Sequence, residues 1–201
     1  MEKEAPSPAE GYALVKKSVV YGVVAAVLMF VIFMGGLFAA LAAQSLAPLT
    51  VAVALIGFLI VWPSYYMRKA FLIFHEAYRR DIYNTVATLL LISIVLVPIF
   101  TTAQAAWLQL TAATAPGAGL PDFTTLRILG WPIGVAVAAV WYVAFRDLAH
   151  DSGVDMFHAV GIVGLVAAIL SFVQAATAVL GLVEIILLYV AANRALELSE
   201  R

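Results

Sequence analysis

Few side chains in this chain carry chemistry, and most of them stand at the ends of long apolar runs. Glu184 is the exception. It lies inside Gly181-Leu182-Val183-Glu184-Ile185-Ile186-Leu187-Leu188. A charge near a bilayer centre costs about 2.5–3.5 kcal/mol even on the lenient insertion scale, so such an acid is protonated, paired or in contact with water. Two roles follow for Glu184: proton or cation handling, or an acid satisfied by a partner that holds helices together. Gly181, one turn earlier, predicts that this face packs inward. Arg127 is the expected partner, because both residues fall in the outer third of their helices and a long Arg side chain spans one turn.

A second group is polar and clustered. Asp147, His150, Asp151, Asp155 and His158 share one segment, and His75 and Glu76 lie in another. Imidazole and carboxylate suit zinc, manganese or iron. The spacing fits no metal signature, and Ser152-Gly153 breaks any common helical face. No metal site is expected; His150, Asp151, Asp155 and His158 would be the ligands if one existed. Haem ligation by His158 is weaker still. Asp81 and Asp155 are expected instead to cap helices, where a carboxylate meets free amides and the positive end of the dipole.

A third group is basic. Arg68, Lys69, Arg79 and Arg80 oppose Phe71, Phe74, Tyr78 and Ile82 at helical spacing. This is either a helix end with its basic residues at the lipid headgroups or a surface for docking a partner or lipid. Small residues form two stripes: Gly130 and Gly134, and Gly161, Gly164, Ala168 and Ser171, the second running on to Ala175. Such stripes let helices approach closely. The chain has no cysteine, and it shows no phosphate loop, nucleophile triad, dinucleotide fingerprint or nucleic-acid motif. No catalytic residue, enzyme activity, cofactor or nucleic-acid partner is predicted.

The elements that must position these residues are membrane helices. Of 201 residues, 65% are hydrophobic and 11% charged, and the mean hydropathy is +1.05. Soluble domains carry about 25% charged residues. The bilayer is therefore the expected solvent, and the fold class is an all-α polytopic helix bundle. Asn and Gln are scarce, as in a heat-stable protein and equally in any long apolar chain. Residues 1–17 read as a disordered tail. Six helices follow, at about 18–43, 49–67, 82–110, 124–149, 155–174 and 177–196, in one transmembrane domain, with 199–201 as a second tail. The run from Ser18 to Ala43 is longer than a signal-peptide core of about 7–15 residues, so it reads as a retained helix. The stretch from Val154 to Leu198 has no breaker, yet as one helix it would be about 65 Å long, so it must turn back, near 174–178. Pro63, Pro98 and Pro132 are expected to kink their helices.

Charge tests the count of six. With six spans, ten of the eleven basic residues fall on one side: Lys3, Lys16, Lys17, Arg68, Lys69, Arg79, Arg80, Arg146, Arg194 and Arg201. Arg127 alone falls opposite. The positive-inside rule then places both termini in the cytoplasm of a cell-membrane protein. Tyr21, Tyr65, Tyr66, Tyr83, Tyr142 and Tyr189 fall near the same ends, and Trp107 marks the other interface.

Shifting the chain by 74 residues aligns Ala70-Phe71 with Ala144-Phe145, Asp81 with Asp155, Tyr83 with Phe157, Val86 with Val160 and Leu91 with Leu165. Both copies run in one direction, so the repeat is parallel, of a kind small transporters use; chance similarity between apolar segments is the other reading. The second copy resembles a known family. Ala144-Phe145-Arg146-Asp147-Leu148-Ala149-His150-Asp151-Ser152-Gly153-Val154-Asp155-Met156-Phe157, with Ala159 and Gly161, is similar to the C-terminal signature of an uncharacterised archaeal and bacterial membrane-protein family, domain of unknown function 996. The resemblance covers Trp141 to Ala192 and is most specific at Ser152-Gly153-Val154. The family pattern is apolar where Glu184 stands. The resemblance implies a multi-pass protein and no particular activity.

The expected function is a non-catalytic accessory or scaffolding subunit of a membrane complex, or a homo-oligomer. Its partners would be membrane lipids and other membrane subunits or itself. The alternative is a small transporter or channel built on the repeat, the kinked helices and Glu184.

Overall fold

Ser7 opens the fold. In the computed structural model its hydroxyl accepts from the Ala9 amide at 3.3 Å, Pro8 takes the first helical position and Glu10 lies in the first turn. These are the signals that start a helix. The structure describes residues 7–114 and 124–199, with the side chains of 112, 113, 124–127, 129, 174 and 175 outside the description. The expected tail is thus helical from Pro8 onward. It is not a loose end, because Tyr12, Val15 and Val19 form one buried face.

The described residues form α1 (Pro8–Ala43), α2 (Ala47–Leu59), α3 (Val61–Tyr78), α4 (Asp81–Thr114), α5 (Thr124–Ser152), α6 (Met156–Ile169) and α7 (Gln174–Ser199). α2 and α3 make one span interrupted at Ile60. The break follows from Pro63, which has no amide to bond the carbonyl one turn back. Its own carbonyl accepts from Ser18 Oγ at 2.7 Å, tying the kink to α1. Among the described residues five stretches are long and apolar enough to cross a membrane: Pro8–Ala43, Ala47–Tyr78, Asp81–Thr111, Gly130–Ser152 and Ala176–Ser199. The chain is an all-α bundle of about six helices.

Other expected boundaries shift as well, α5 running on to Ser152 and α7 spanning Gln174–Ser199. α3 continues past Met67 to Tyr78, so the charged stretch is mostly helix, and the chain reverses at Arg79, in the left-handed region at φ 54°. α4 runs on past the expected end at Leu110 to Thr114. α6 stops at Ile169, not near 174, and the reversal falls at 170–173. With 14 residues, α6 rises about 21 Å, less than a hydrocarbon core of about 30 Å. Side chains make this early stop affordable. Trp131 Nε1 donates to the Ile169 carbonyl at 3.3 Å, and Thr177 Oγ1 to those of Leu170 and Val173 at 3.3 and 3.1 Å. Helix-end carbonyls need such partners where water is scarce.

The helices neighbour one another in a ring: α5 on α6, α6 on α7, α7 on α1, α1 on α2–α3, and these on α4. α4 and α5 touch little. The core fills one end of this ring. Phe71, Phe74, Tyr83, Leu148, Val86, Phe157 and Val160 are all fully buried there, beside Tyr12 and Phe145. Phe71 meets Phe74, Tyr83, Trp141 and Phe145 at ring distances of 5.3–6.0 Å, contacts worth about 0.5–1.5 kcal/mol each beyond their burial. Lys16 Nζ donates to Asn193 Oδ1 at 2.8 Å, so the start of α1 and the end of α7 meet at this same end. α1 alone rises about 54 Å, beyond a whole bilayer of about 40–45 Å. α1 therefore extends beyond the hydrocarbon, and the aromatic cluster forms a head where its N-terminal part meets the other helices. Toward the other end large apolar side chains face outward, as Phe30 and Phe38 do at 67% and 62% exposure.

The repeat has a structural counterpart. Ala70 and Ala144, Phe71 and Phe145, Phe74 and Leu148, Tyr83 and Phe157, and Val86 and Val160 are buried in matched pairs. In each copy the first aromatic meets the second across the reversal, Phe71 with Tyr83 at 6.0 Å and Phe145 with Phe157 at 6.3 Å. Phe71 and Phe145 then touch each other between copies at 6.0 Å. Leu91, at 44% exposure, departs from the matched burial.

Candidate functional site: a cleft at Glu184

Above the aromatic head the ring is not filled. A cavity of about 310 Å³ lies there, walled by Gly134, Val137, Ala138 and Trp141 of α5, Gly161 and Gly164 of α6, Glu184 and Leu188 of α7, and Met67 of α3. A second hollow of about 270 Å³ continues along α5 and α6 through Gly130, Trp131, Gly134, Ala168, Ser171 and Phe172. Gly134 belongs to both. Together they make one groove running up α5 from Trp141 to Gly130.

The glycines divide the work. A Cβ at Gly161 would lie 3.2 Å from Tyr142 Cα and carbonyl oxygen, so this residue lets α6 press onto the backbone of α5. A Cβ at Gly164 would lie 2.8 Å from Glu184 Oε1, so this residue makes room for the carboxylate. Close helix contact is thus present at Gly161 and Gly164, whereas a Cβ at Gly130 or Gly134 would meet nothing within 4 Å among the described residues. Their side of α5 looks into the groove because α4 lies away from it. Gly181 is equally open; the residue that positions Glu184 is Gly164.

Among the described residues no hydrogen-bond donor reaches the Glu184 carboxylate, and its surroundings are apolar and aromatic. The Arg127 side chain, its expected partner, lies outside the described residues. Chemically the site is a lone acid facing a groove otherwise made of hydrocarbon, aromatic rings and glycine. It can accept a hydrogen bond or a cationic charge from whatever enters, or hold a proton.

The polar cluster of the head has a different use. Arg80 donates to Asp151 at 2.5 Å and to Asp147 at 3.5 Å, and Tyr83 Oη donates to Asp151 at 2.7 Å. Arg146 also reaches Asp147 at 3.0 Å. The hydrogen bond to Asp151 holds the Arg80 guanidinium above its ordinary pKa. This network clamps the α3–α4 reversal to α5, one repeat to the other. Arg80, an expected docking or lipid-contact residue, is thus engaged in this clamp with its side chain 36% exposed. Lys69 stands over Tyr65 at 4.8 Å, Arg79 is exposed, and Arg68 has a buried Nε without a hydrogen-bond partner among the described residues.

The four weak metal ligands do not converge. Asp151 is engaged by Arg80 and Tyr83, and His158 Nε2 lies 3.3 Å from Tyr142 Oη. Among the described residues no three His, Asp or Glu side chains are grouped to hold a metal. Asp155 precedes α6 but makes no capping bond; Ser152 Oγ accepts from the Val154 amide instead, at 3.2 Å. The clamp was not anticipated from sequence, although Asp147 and Asp151 stand four apart and so share a helix face. Comparison with protein-family models, with curated proteins and with solved structures finds no match for this chain.

Proposed function

We propose that this integral membrane protein is a non-catalytic accessory or scaffolding component that receives a transmembrane helix in the groove along α5. The observation that carries this reading is the open glycine wall. A Cβ added at Gly130 or Gly134 would meet nothing within 4 Å among the described residues, in a setting where small residues serve close helix contact. The partner is a second copy or another subunit, and a donor on its helix would satisfy Glu184. The head, clamped by Arg80 and Asp151, leaves the groove free while holding the bundle together. The positive-inside bias and the meeting of α1 with α7 at Lys16 and Asn193 support both termini lying in the cytoplasm of a cell-membrane protein. Kinship with domain of unknown function 996 remains part of this proposal and adds no activity.

A photo-crosslinking residue at Val137, inside the groove, tests the reading against one at lipid-facing Val27. In native membranes Val137 should give one discrete protein adduct, lost when Gly134→Leu fills the groove. Lipid adducts alone from both positions would defeat the proposal. A second reading, a small transporter or channel, draws on the lone Glu184 carboxylate in its cavity. It requires proton or cation flux in proteoliposomes that Glu184→Gln abolishes.

A further inference from the structure

A separate groove runs down the outside of the bundle between α1 and α7. It has a volume of about 410 Å³ and is lined almost wholly by apolar side chains, with Val20 and Val24 on one wall and Ile186 and Val190 on the other. These four are exposed, so no other part of the described chain covers them. Both walls end in a basic residue at the same end. Counting back by one turn, Val24 leads to Val20 and then to Lys16; counting forward, Ile186 leads to Val190 and then to Arg194. Lys16 and Lys17 are the last charges before the apolar run of α1, and Arg194 is the first after Glu184 on α7. Both ends thus stand where hydrocarbon gives way to headgroups.

The two neighbouring lysines point to different places. Lys16 Nζ lies 5.3 Å above the Tyr189 ring at the mouth of the groove and bonds Asn193 at 2.8 Å. Lys17 turns away, 4.6 Å above Tyr66 and 5.9 Å from Tyr21. Glu197 accepts from Asn193 Nδ2 at 2.9 Å.

We propose that this groove binds one phospholipid with an anionic headgroup, its acyl chain against Val20, Val24, Ile186 and Val190 and its phosphate between Lys16 and Arg194. From Lys16 to Val24 the groove is about 12 Å long, so the upper part of a chain lies in it. The lipid would join α1 to α7, the contact through which the first helix of the chain meets the last. The site is independent of the α5 groove.

Native mass spectrometry of the detergent-purified protein with phosphatidylglycerol or phosphatidylcholine of the same chains is the test. One phosphatidylglycerol should bind with clear preference over phosphatidylcholine. Each basic residue near the surface is worth roughly fivefold in affinity, so Lys16→Ala with Arg194→Ala should weaken it roughly twenty-five-fold. Lys17→Ala should stay within about twofold, since its side chain faces the α3 tyrosines. Val24→Trp, which fills the groove without altering charge, should weaken both lipids and stands in should Lys16→Ala unfold the protein. Equal binding of the two lipids, equal loss from Lys17→Ala, or full competition by the deacylated headgroup glycerophosphoglycerol would overturn the proposal.

Discussion

Asp151→Ala and Asp151→Asn separate the two things that Asp151 does. Its carboxylate takes the Arg80 guanidinium at 2.5 Å and the Tyr83 hydroxyl at 2.7 Å. The Arg80 side chain is 36% exposed, so its pair with Asp151 is discounted toward the surface range of about 0–1 kcal/mol. Tyr83 is fully buried. Stranding its hydroxyl costs about 1–3 kcal/mol. Alanine removes both acceptors and should cost about 1–4 kcal/mol. Asparagine keeps an oxygen for Tyr83 and should cost less than about 1 kcal/mol. The larger part of the clamp is thus the satisfied tyrosine, not the ion pair.

Reversible unfolding in mixed detergent measures both variants, and Asp151→Ala with Tyr83→Phe completes the comparison. Removing the hydroxyl together with its acceptor should recover most of the alanine loss. If asparagine were as damaging as alanine, the charge pair would dominate and the reasoning would fail. The ion pair itself should show no loss on the alkaline side. The Arg80 pKa is raised, so its contribution is complete below the unfolded value and fades only as pH rises through the folded one, above ordinary alkaline conditions.

Gly161→Ala should destabilise by about 1–3 kcal/mol, because the new methyl meets the α5 backbone, while Gly134→Ala should be neutral or gain up to about 1 kcal/mol from helix propensity; equal melting shifts would refute this use of the glycines. Gly134→Leu should leave the isolated protein folded yet abolish the Val137 crosslink, and a fall in its own melting point would place Gly134 in the packed core. The sequence expectation that Glu184 pairs with Arg127 is tested by a double-mutant cycle: with the pair, Glu184→Ala should lower stability and the double change to apolar residues should restore much of it, whereas additive single changes would leave Glu184 to a donor from a partner helix. Single cysteines replacing Ser7, Thr114 and Ser199 should react with impermeant reagent on whole cells only at position 114, and labelling at 199 would reverse the topology proposed for α7.

Apolar runs and their breaks were readable because hydropathy reports contact with lipid. The signal failed where a helix leaves the lipid. α3 beyond Met67 and α1 before Ser18 alternate buried aromatic with charged residues, and a hydropathy scan takes such mixed turns for loops. Phe71, Phe74 and Tyr78 did show helical spacing there, which left helix projection as one of two readings. α6 misled in the opposite way. Its apolar run continues through Leu170 and Val173, yet the helix ends at Ile169 because Trp131 and Thr177 supply donors, one of them from a helix distant in sequence. Glu184 was recognisable by its isolation. Its setting was not, since Gly164 faces it across two helices and Gly181, its neighbour in sequence, faces nothing.

The distribution of packing bears on how such a groove persists. In a bilayer, apolar burial between helices gains little, because lipid tails are as apolar as leucine. Aromatic contact, close backbone approach and hydrogen bonds must hold the helices, and here all three gather in the head: the rings around Phe71, the approach of α6 to α5 at Gly161, and the Asp151 clamp. Joined there, α2–α3 and α5 need not meet again further along. Lipid or a partner helix fills the space between them at little cost, whereas an unsatisfied Glu184 remains costly. Under the proposed function, a helix bringing a donor to that depth would gain more than lipid can, and this difference would give the groove its selectivity.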